Sequence, residues 1–310
     1  MGMDNESVVT EFFFVGMPDA LWVKIMLFIV LFIIYLGTLI GNIFLIVLTR
    51  VDIKLHTPMY FFLSNLSFLD ICYTTSTLPQ LMAHSLSNRP SISLSRCFAQ
   101  MYISLFLGMT ECLLLSVMAY DRWVAVCNPL HYALIMNHKV CIYLAAMSWS
   151  GAFIQCLLHP ITMKVQFCGH NIIKNFSCEL SVVLSLVCSD TRDHQIVLLS
   201  TNILSLLLPF TFILVTYTHI IVAVLSIRSA KGRSKAFSTC TSHLIVVTIF
   251  YGTCIFMYLR PKSQSFPDQD KYISLFYGAI TPMLNPIVYS LRNKDVKGAL
   301  RKFTGGKINS

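Results

Sequence analysis

An acid and an arginine stand side by side in Met118-Ala119-Tyr120-Asp121-Arg122-Trp123-Val124-Ala125-Val126-Cys127, which closes a long apolar run starting near Phe98. Charged side chains at the edge of a hydrocarbon layer are costly unless they pair or act, so this pair is a candidate lock. Two more acids lie inside apolar blocks: Asp70, and Glu111 three helical turns above Arg122. An acid near mid-membrane costs at least about 2.5 kcal/mol even on insertion scales, and should face a polar cavity with a partner. Two carboxylates in one bundle either share a proton or hold a cation between them, because like charges at close range disfavour double ionisation. His243 lies at about the depth of Arg122, and Tyr217 and Tyr289 bring polar groups to the same end of their own apolar blocks. That convergence points to a switch rather than a pore, since no continuous row of charges crosses the apolar blocks.

The elements that must position these groups are membrane helices. Of 310 residues, 55% are hydrophobic and only 12% charged, with a mean hydropathy of +0.69; soluble chains carry about a quarter charged residues. Seven apolar blocks each reach the roughly 20 residues that cross a bilayer core: Ile25–Thr49, Pro58–Leu81, Phe98–Val126, Val140–Ile161, Gln195–Ile227, Phe237–Leu259 and Tyr272–Leu291. The strand alternation of a membrane barrel is absent, which predicts helices and an all-α bundle. The organisation read from this is a tail over residues 1–24, a seven-helix transmembrane bundle over 25–291, and a basic segment over 292–310. Residues 1–22 carry four acids and lack a basic start followed by an apolar core, so no cleavable signal peptide is expected and the first helix serves as the insertion signal.

With the N-terminus outside, 13 of the 23 lysines and arginines fall on the inner side and 9 on the outer, while only Asp52 and Asp295 among the acids fall inside. The net charge of +9 is therefore an inner-face property suited to anionic lipid, not to nucleic acid. Arg228–Lys235 holds four bases and no acid and reads as a short inner loop, at once a topology signal and a docking surface for a cytoplasmic partner. Arg292–Lys302 is basic and amphipathic, fitting a short helix on the inner leaflet. Asn5-Glu6-Ser7 is a glycosylation sequon usable in an outer tail, and Asn175-Phe176-Ser177 is another in an outer loop.

Pro282 and Pro286 interrupt the last block, and Pro209 the fifth; each frees a carbonyl that a neighbour must satisfy. Asn285 and Tyr289 are the expected donors for the last block, while Asn42 and Asn65 read as interhelical hydrogen-bonding residues. Trp149 reads as packing. Of eleven cysteines, Cys97, Cys168, Cys178 and Cys188 lie on the outer, oxidising side. They allow three pairings, and spacing does not choose among them. The other seven read as small packing residues.

The chain resembles rhodopsin-like G-protein-coupled receptors and, within them, vertebrate olfactory receptors of the tetrapod-type class. The landmarks are Gly41-Asn42, Leu55-His56-Thr57-Pro58-Met59-Tyr60-Phe61-Phe62-Leu63, Leu69-Asp70, Met118 through Cys127, Lys235-Ala236-Phe237-Ser238-Thr239-Cys240, Ser242-His243, Phe250-Tyr251-Gly252 and Pro282 through Tyr289. The resemblance implies bridges Cys97–Cys178 and Cys168–Cys188. It implies that Asp121 and Arg122 form an inner lock, and that Tyr217, His243, Asn285, Pro286 and Tyr289 belong to the activation switch. It also implies a sodium site at Asp70 and Glu111 and no other cofactor. The implied partners are an odorant and a stimulatory olfactory-type heterotrimeric G protein, at the plasma membrane of olfactory cilia. Trp123 departs from the family pattern, which has tyrosine there; altered coupling or basal activity is expected.

The candidate ligand pocket is Met101, Ser104, Leu105, Gly108 and Met109 on the third helix, Thr201, Asn202 and Ser205 on the fifth, and Tyr251, Cys254, Ile255 and Tyr258 on the sixth. It is mostly apolar and uncharged, which favours a small neutral ligand held by one or two hydrogen bonds. An ion carrier using Asp70, Glu111 and His243 would call for inverted repeats, and the two halves show none. A membrane enzyme would call for a metal or nucleophile constellation, and His56, His131 and the cysteines form none.

Overall fold

The computed structural model describes residues 9–16, 18, 20–162, 166–167, 171–188, 192–258, 267–292, 296 and 298–299. The first helix, α1 (Leu21–Val51), exposes Leu21, Ile25, Ile29, Ile33 and Ile40 while Thr38 and Asn42 are fully buried. This inverted polarity is what hydrocarbon demands: the apolar face meets lipid, and polar groups turn inward to find partners. α2 (Pro58–Leu86) follows the same rule, burying Ser67, Asp70, Thr74, His84 and Ser85.

α3 (Leu94–Cys127) is followed by a short helix, α4 (Tyr132–Ile135), at the inner end of the bundle, the end opposite the N-terminal strand, and by α5 (His138–Thr162). The outer loop after α5 contains α6 (Leu180–Leu184). The fifth spanning helix is built from α7 (Arg192–Asn202), a π-helical turn (Ile203–Leu207) and α8 (Leu208–Ser226). α9 (Ala230–Tyr258) is the sixth. The seventh joins α10 (Pro267–Leu275), a second π turn (Phe276–Ile280) and α11 (Thr281–Arg292). Each π turn lies just before a proline, Pro209 or Pro282, where the lost amide loosens the ladder. α3 packs against α2, α5, α8 and α9 and so occupies the centre of the bundle. Among the described residues, α1, α3, α5, α7–α8 and part of α9 are long and apolar enough to cross a membrane; α2 and α10–α11 carry more polar groups and complete the seven-helix bundle.

The helices run beyond the apolar blocks at several ends, α2 for instance to Leu86, and two of these boundaries change the reading of a segment. The basic stretch from residue 230 onward is the first turns of α9 rather than a loop, because it holds no proline and is rich in helix formers; only residues 227–229 separate it from α8. The seventh helix begins at Pro267, a residue suited to the first helical position.

The tail is also more ordered than an outer appendage. β1 (Glu11–Phe14) pairs antiparallel with β2 (Ser91–Ser93) and parallel with β3 (Ile172–Ile173), giving the order β2-β1-β3. Phe12 and Phe14 point down into a core with Ile92, Cys97, Met101, Ile173 and Cys178. The sheet thus ties the tail to two outer loops above α3. The Cys97–Cys178 disulfide pins the same corner. Cys188 is disulfide-bonded as well, while Cys168, its expected partner, lies outside the described residues, as does Asn5. Asn175 is buried, its Oδ1 accepting from the Phe176 amide at 2.7 Å, so this sequon turns inward. Of the C-terminal segment, Val296 and Ala299 are described and pack into the main core at the inner end.

Candidate functional site

At the inner end, Arg122 donates to Asp121 Oδ2 through Nε at 3.0 Å and, more closely, through Nη2. Both residues belong to α3 and are buried, so the pair is shielded from water and its attraction is strong. The second carboxylate oxygen, Oδ1, accepts a 2.7 Å hydrogen bond from the Tyr132 hydroxyl of α4. Burial, then the neighbouring carboxylate, push the Tyr132 phenol above its ordinary value, so it stays a donor. Tyr132 is the part of this lock that the sequence reading missed. Trp123 lies beside it, partly buried, its ring 5.7 Å from that of Tyr120.

One layer above, the Tyr217 hydroxyl lies 2.7 Å from His243 Nδ1, and His243 Nε2 lies 3.1 Å from the Leu115 carbonyl. A carbonyl only accepts, so Nε2 carries the proton and Nδ1 accepts from Tyr217. One neutral imidazole thereby joins α9 to both α3 and α8. Tyr217 and His243 bond to each other rather than to Arg122. Tyr289 is buried in the same core, and its hydroxyl makes no hydrogen bond among the described residues.

In the middle of the bundle, Asn285 Nδ2 donates to both oxygens of Asp70, at 3.1 and 3.2 Å. Glu111 is buried within electrostatic reach of Asp70, and its Oε1 has no hydrogen-bond partner. The Thr281 hydroxyl is likewise buried without a partner. Two buried carboxylates within electrostatic reach of each other have the hard-oxygen chemistry that suits a small cation such as sodium.

The proline carbonyl is satisfied by a different residue than expected. Pro286 lacks the amide that would reach the Pro282 carbonyl four residues back. Asn42 Nδ2, 240 residues earlier in the chain, donates to that carbonyl at 3.1 Å and to Thr38 O at 3.0 Å. Asn285, the expected donor, is taken up by Asp70, and Tyr289 makes no such bond. Pro286 also fits against Gly41, where an added Cβ would come within 3.0 Å of its ring. Asn65 accepts at Oδ1 from Trp149 Nε1 at 3.2 Å, so Trp149 carries a polar contact besides its packing.

The pocket candidates divide by face. On α3, Met101 and Leu105 pack under the outer sheet, Met109 is buried and Ser104 is partly so. Gly108 abuts Tyr277, whose hydroxyl would lie 3.2 Å from an added Cβ. Thr201 and Ser205 turn to α5, bonding His159 (3.3 Å) and Gln155; Asn202 is partly buried beside them. On α9, the Tyr251 hydroxyl donates to the Cys112 carbonyl at 3.1 Å, and its ring stacks on Phe210 at 4.9 Å. Cys254 is buried near it, Ile255 packs on the same core, and the Tyr258 side chain lies outside the described residues. A crevice opens elsewhere, between α2, the outer loop and α10, with Tyr73, Thr77, Phe176 and Ser274 among its walls.

A family model described as olfactory receptor matches residues 31–307. Olfactory receptor 13H1 of Homo sapiens is 51% identical over 302 residues, covering 97% of this chain and 98% of the relative. Human olfactory receptor 2B2 is 50% identical over 309 residues, covering 99% and 87% respectively. Human olfactory receptor 2G3 is 48% identical over 309 residues, covering 99% and 100%. With matching sequence from end to end laid over a seven-helix bundle that closes on an Asp-Arg pair, the chain belongs to the olfactory receptor family.

Proposed function

We propose that the protein is an odorant receptor that binds a small, mostly apolar volatile ligand inside the bundle and activates a stimulatory, olfactory-type heterotrimeric G protein, raising cAMP. As a member of this family it is a multi-pass membrane receptor and not an enzyme. The observation that carries the switch reading is the layered clamp: Asp121 held by Arg122 and Tyr132, with His243 joining three helices just above. A closed clamp is a two-state element, and a ligand opens it only by binding the open arrangement more tightly.

In this reading the ligand contacts α3 at Met101, Ser104, Leu105, Gly108 and Met109, and α9 at Tyr251, Cys254, Ile255 and Tyr258. On the fifth spanning helix it contacts Thr201, Asn202 and Ser205, of which Thr201 and Ser205 also bond to α5. Asp70 and Glu111 hold a sodium ion that stabilises the resting arrangement. The tail over residues 1–24 is extracellular and glycosylated at Asn5, residues 25–291 form the receptor domain, and residues 292–310 lie at the cytoplasmic face. Cys168–Cys188 is the second outer bridge, and the cell surface is that of olfactory cilia.

The test is expression with a stimulatory olfactory G protein and a screen of volatile odorants by cAMP, with surface display measured in parallel. A displayed receptor that answers odorants supports the reading. Signalling through a different G-protein class would overturn the assigned partner.

A further inference from the structure

At the outer end of α2, one imidazole touches both strands that hold the tail. His84 lies in the last turn of the helix, beyond the apolar block that ends at Leu81, and is 7% exposed. Its Nε2 is 3.2 Å from the Ser91 carbonyl of β2. A carbonyl only accepts, so Nε2 carries the proton and Nδ1 keeps a bare lone pair. That lone pair is buried and has no hydrogen-bond partner among the described residues. The ring also lies against Phe14 of β1, with centroids 4.8 Å apart. His84 therefore fits under the sheet as a neutral group.

A second proton would go to Nδ1, where no acceptor lies, and would put a charge among cations. Among the described residues, Arg96 of α3 is within electrostatic reach. Lys24 of α1 bonds Ser87 O and Asn88 Oδ1 just past the end of α2, and Lys271 of α10 reaches Gly16 just past β1. The one acid of the three strands, Glu11, is on the exposed face of β1, opposite Phe12 and Phe14. Burial pushes the imidazole below its ordinary value, outweighing the Ser91 carbonyl, which favours the charged form; Arg96 pushes it down as well.

We propose that His84 is a pH-sensitive latch on the outer face, which holds β1 and β2 together while neutral and releases them when the outer medium turns acid. In the open state the imidazole regains its ordinary value of about 6.5, while the closed state disfavours the proton. The latch is therefore at full strength above about pH 6.5 and weakens as pH falls below it. At about pH 5.5 the opening of the sheet rises about tenfold. Release uncovers the outer end of α3, where Met101 and Leu105 pack under the sheet.

The test is hydrogen exchange of the full-length receptor in lipid nanodiscs, read at the Phe14 and Leu94 amides, which bond Pro90 O and Thr10 O at 3.0 Å. After correction for the intrinsic pH dependence of exchange, their opening should rise about tenfold between about pH 7.5 and about pH 5.5, and should stay flat in His84→Gln. Arg96 is exposed, so Arg96→Glu leaves the fold intact. An acid there stabilises the protonated closed state and should shrink the rise, a readout that survives if the His84 variant fails to fold. A flat wild-type profile, the same rise in His84→Gln, or an undiminished rise in Arg96→Glu overturns the proposal. Exchange needs neither odorant nor G protein, so the outcome is decided apart from the receptor reading.

Discussion

Replacing Tyr132 with phenylalanine removes one oxygen from the inner lock and leaves the ring in place. In the structure that oxygen donates to Asp121 Oδ1 at 2.7 Å, while Arg122 occupies Oδ2. A hydrogen bond to a charged group contributes about 1.5–3 kcal/mol net. Tyr132 is only partly buried and regains water when released, which places the loss near the lower bound, about 1.5 kcal/mol. That shifts the balance between closed and open clamp roughly tenfold. A receptor with about 1% of its molecules open at rest would rise to about 10%. The assay is ligand-independent G-protein signalling, normalised to surface display, for wild type, Tyr132→Phe and Asp121→Asn. Because phenylalanine keeps the shape of the inner surface, partner docking is little disturbed. If Asp121→Asn raises basal signalling while Tyr132→Phe stays within about twofold of wild type, the hydroxyl takes no part in the lock and the reasoning fails.

Arg122→Ala should abolish odorant-driven signalling with surface display mostly intact; retained signalling would sink the switch model. Asp70→Asn should change the sodium dependence of the response, since it removes one of the two buried carboxylates; an identical sodium titration would remove the ion from that site. Asn42→Ala strands the Pro282 carbonyl and should cost about 1 kcal/mol, read as a lowered Tm of the purified receptor. Phe12→Ala empties the cap under the outer sheet and should cost roughly 3–5 kcal/mol, read as loss of surface display; normal display would show that the sheet is dispensable.

Periodic and compositional signals were legible because lipid imposes them: seven apolar blocks, an Asp-Arg pair at an inner end, prolines in the fifth and seventh helices. Contacts that depend on the third dimension were not. Asn42 and Pro282 are 240 residues apart, and nothing local in either says that the amide of one completes the backbone of the other. Tyr132 follows Asp121 by only eleven residues, but Asn128-Pro129 intervenes, and sequence does not say where the chain re-enters. The strand at Glu11–Phe14 has four residues, too few for a periodic signal, and its partners come from two separate loops. The α5 contacts of Thr201 and Ser205 were hidden for another reason. A hydroxyl on a membrane helix must face inward, but inward includes both a cavity and a neighbouring helix. Here the neighbour, α5, carried Gln155 and His159 to meet them.

The same geometry indicates how an event among the upper side chains reaches the lock. Phe210 on α8 stacks on Tyr251 of α9, and seven residues further along α8 Tyr217 bonds His243 of α9. These two contacts lie on one helix pair, two turns apart, and the lower one is anchored to α3 at Leu115. A rotation of α9 that breaks one strains the other, so they open together. The aromatic pair is worth roughly 0.5–1.5 kcal/mol and the hydrogen bond about 1 kcal/mol. With the His243–Leu115 and Tyr251–Cys112 hydrogen bonds that hold α9 to α3 added at about 1 kcal/mol each, a ligand must prefer the open arrangement by about 4 kcal/mol, roughly a thousandfold in affinity, to offset them all. A preference of that size is within reach of a small apolar molecule, with no charged contact required.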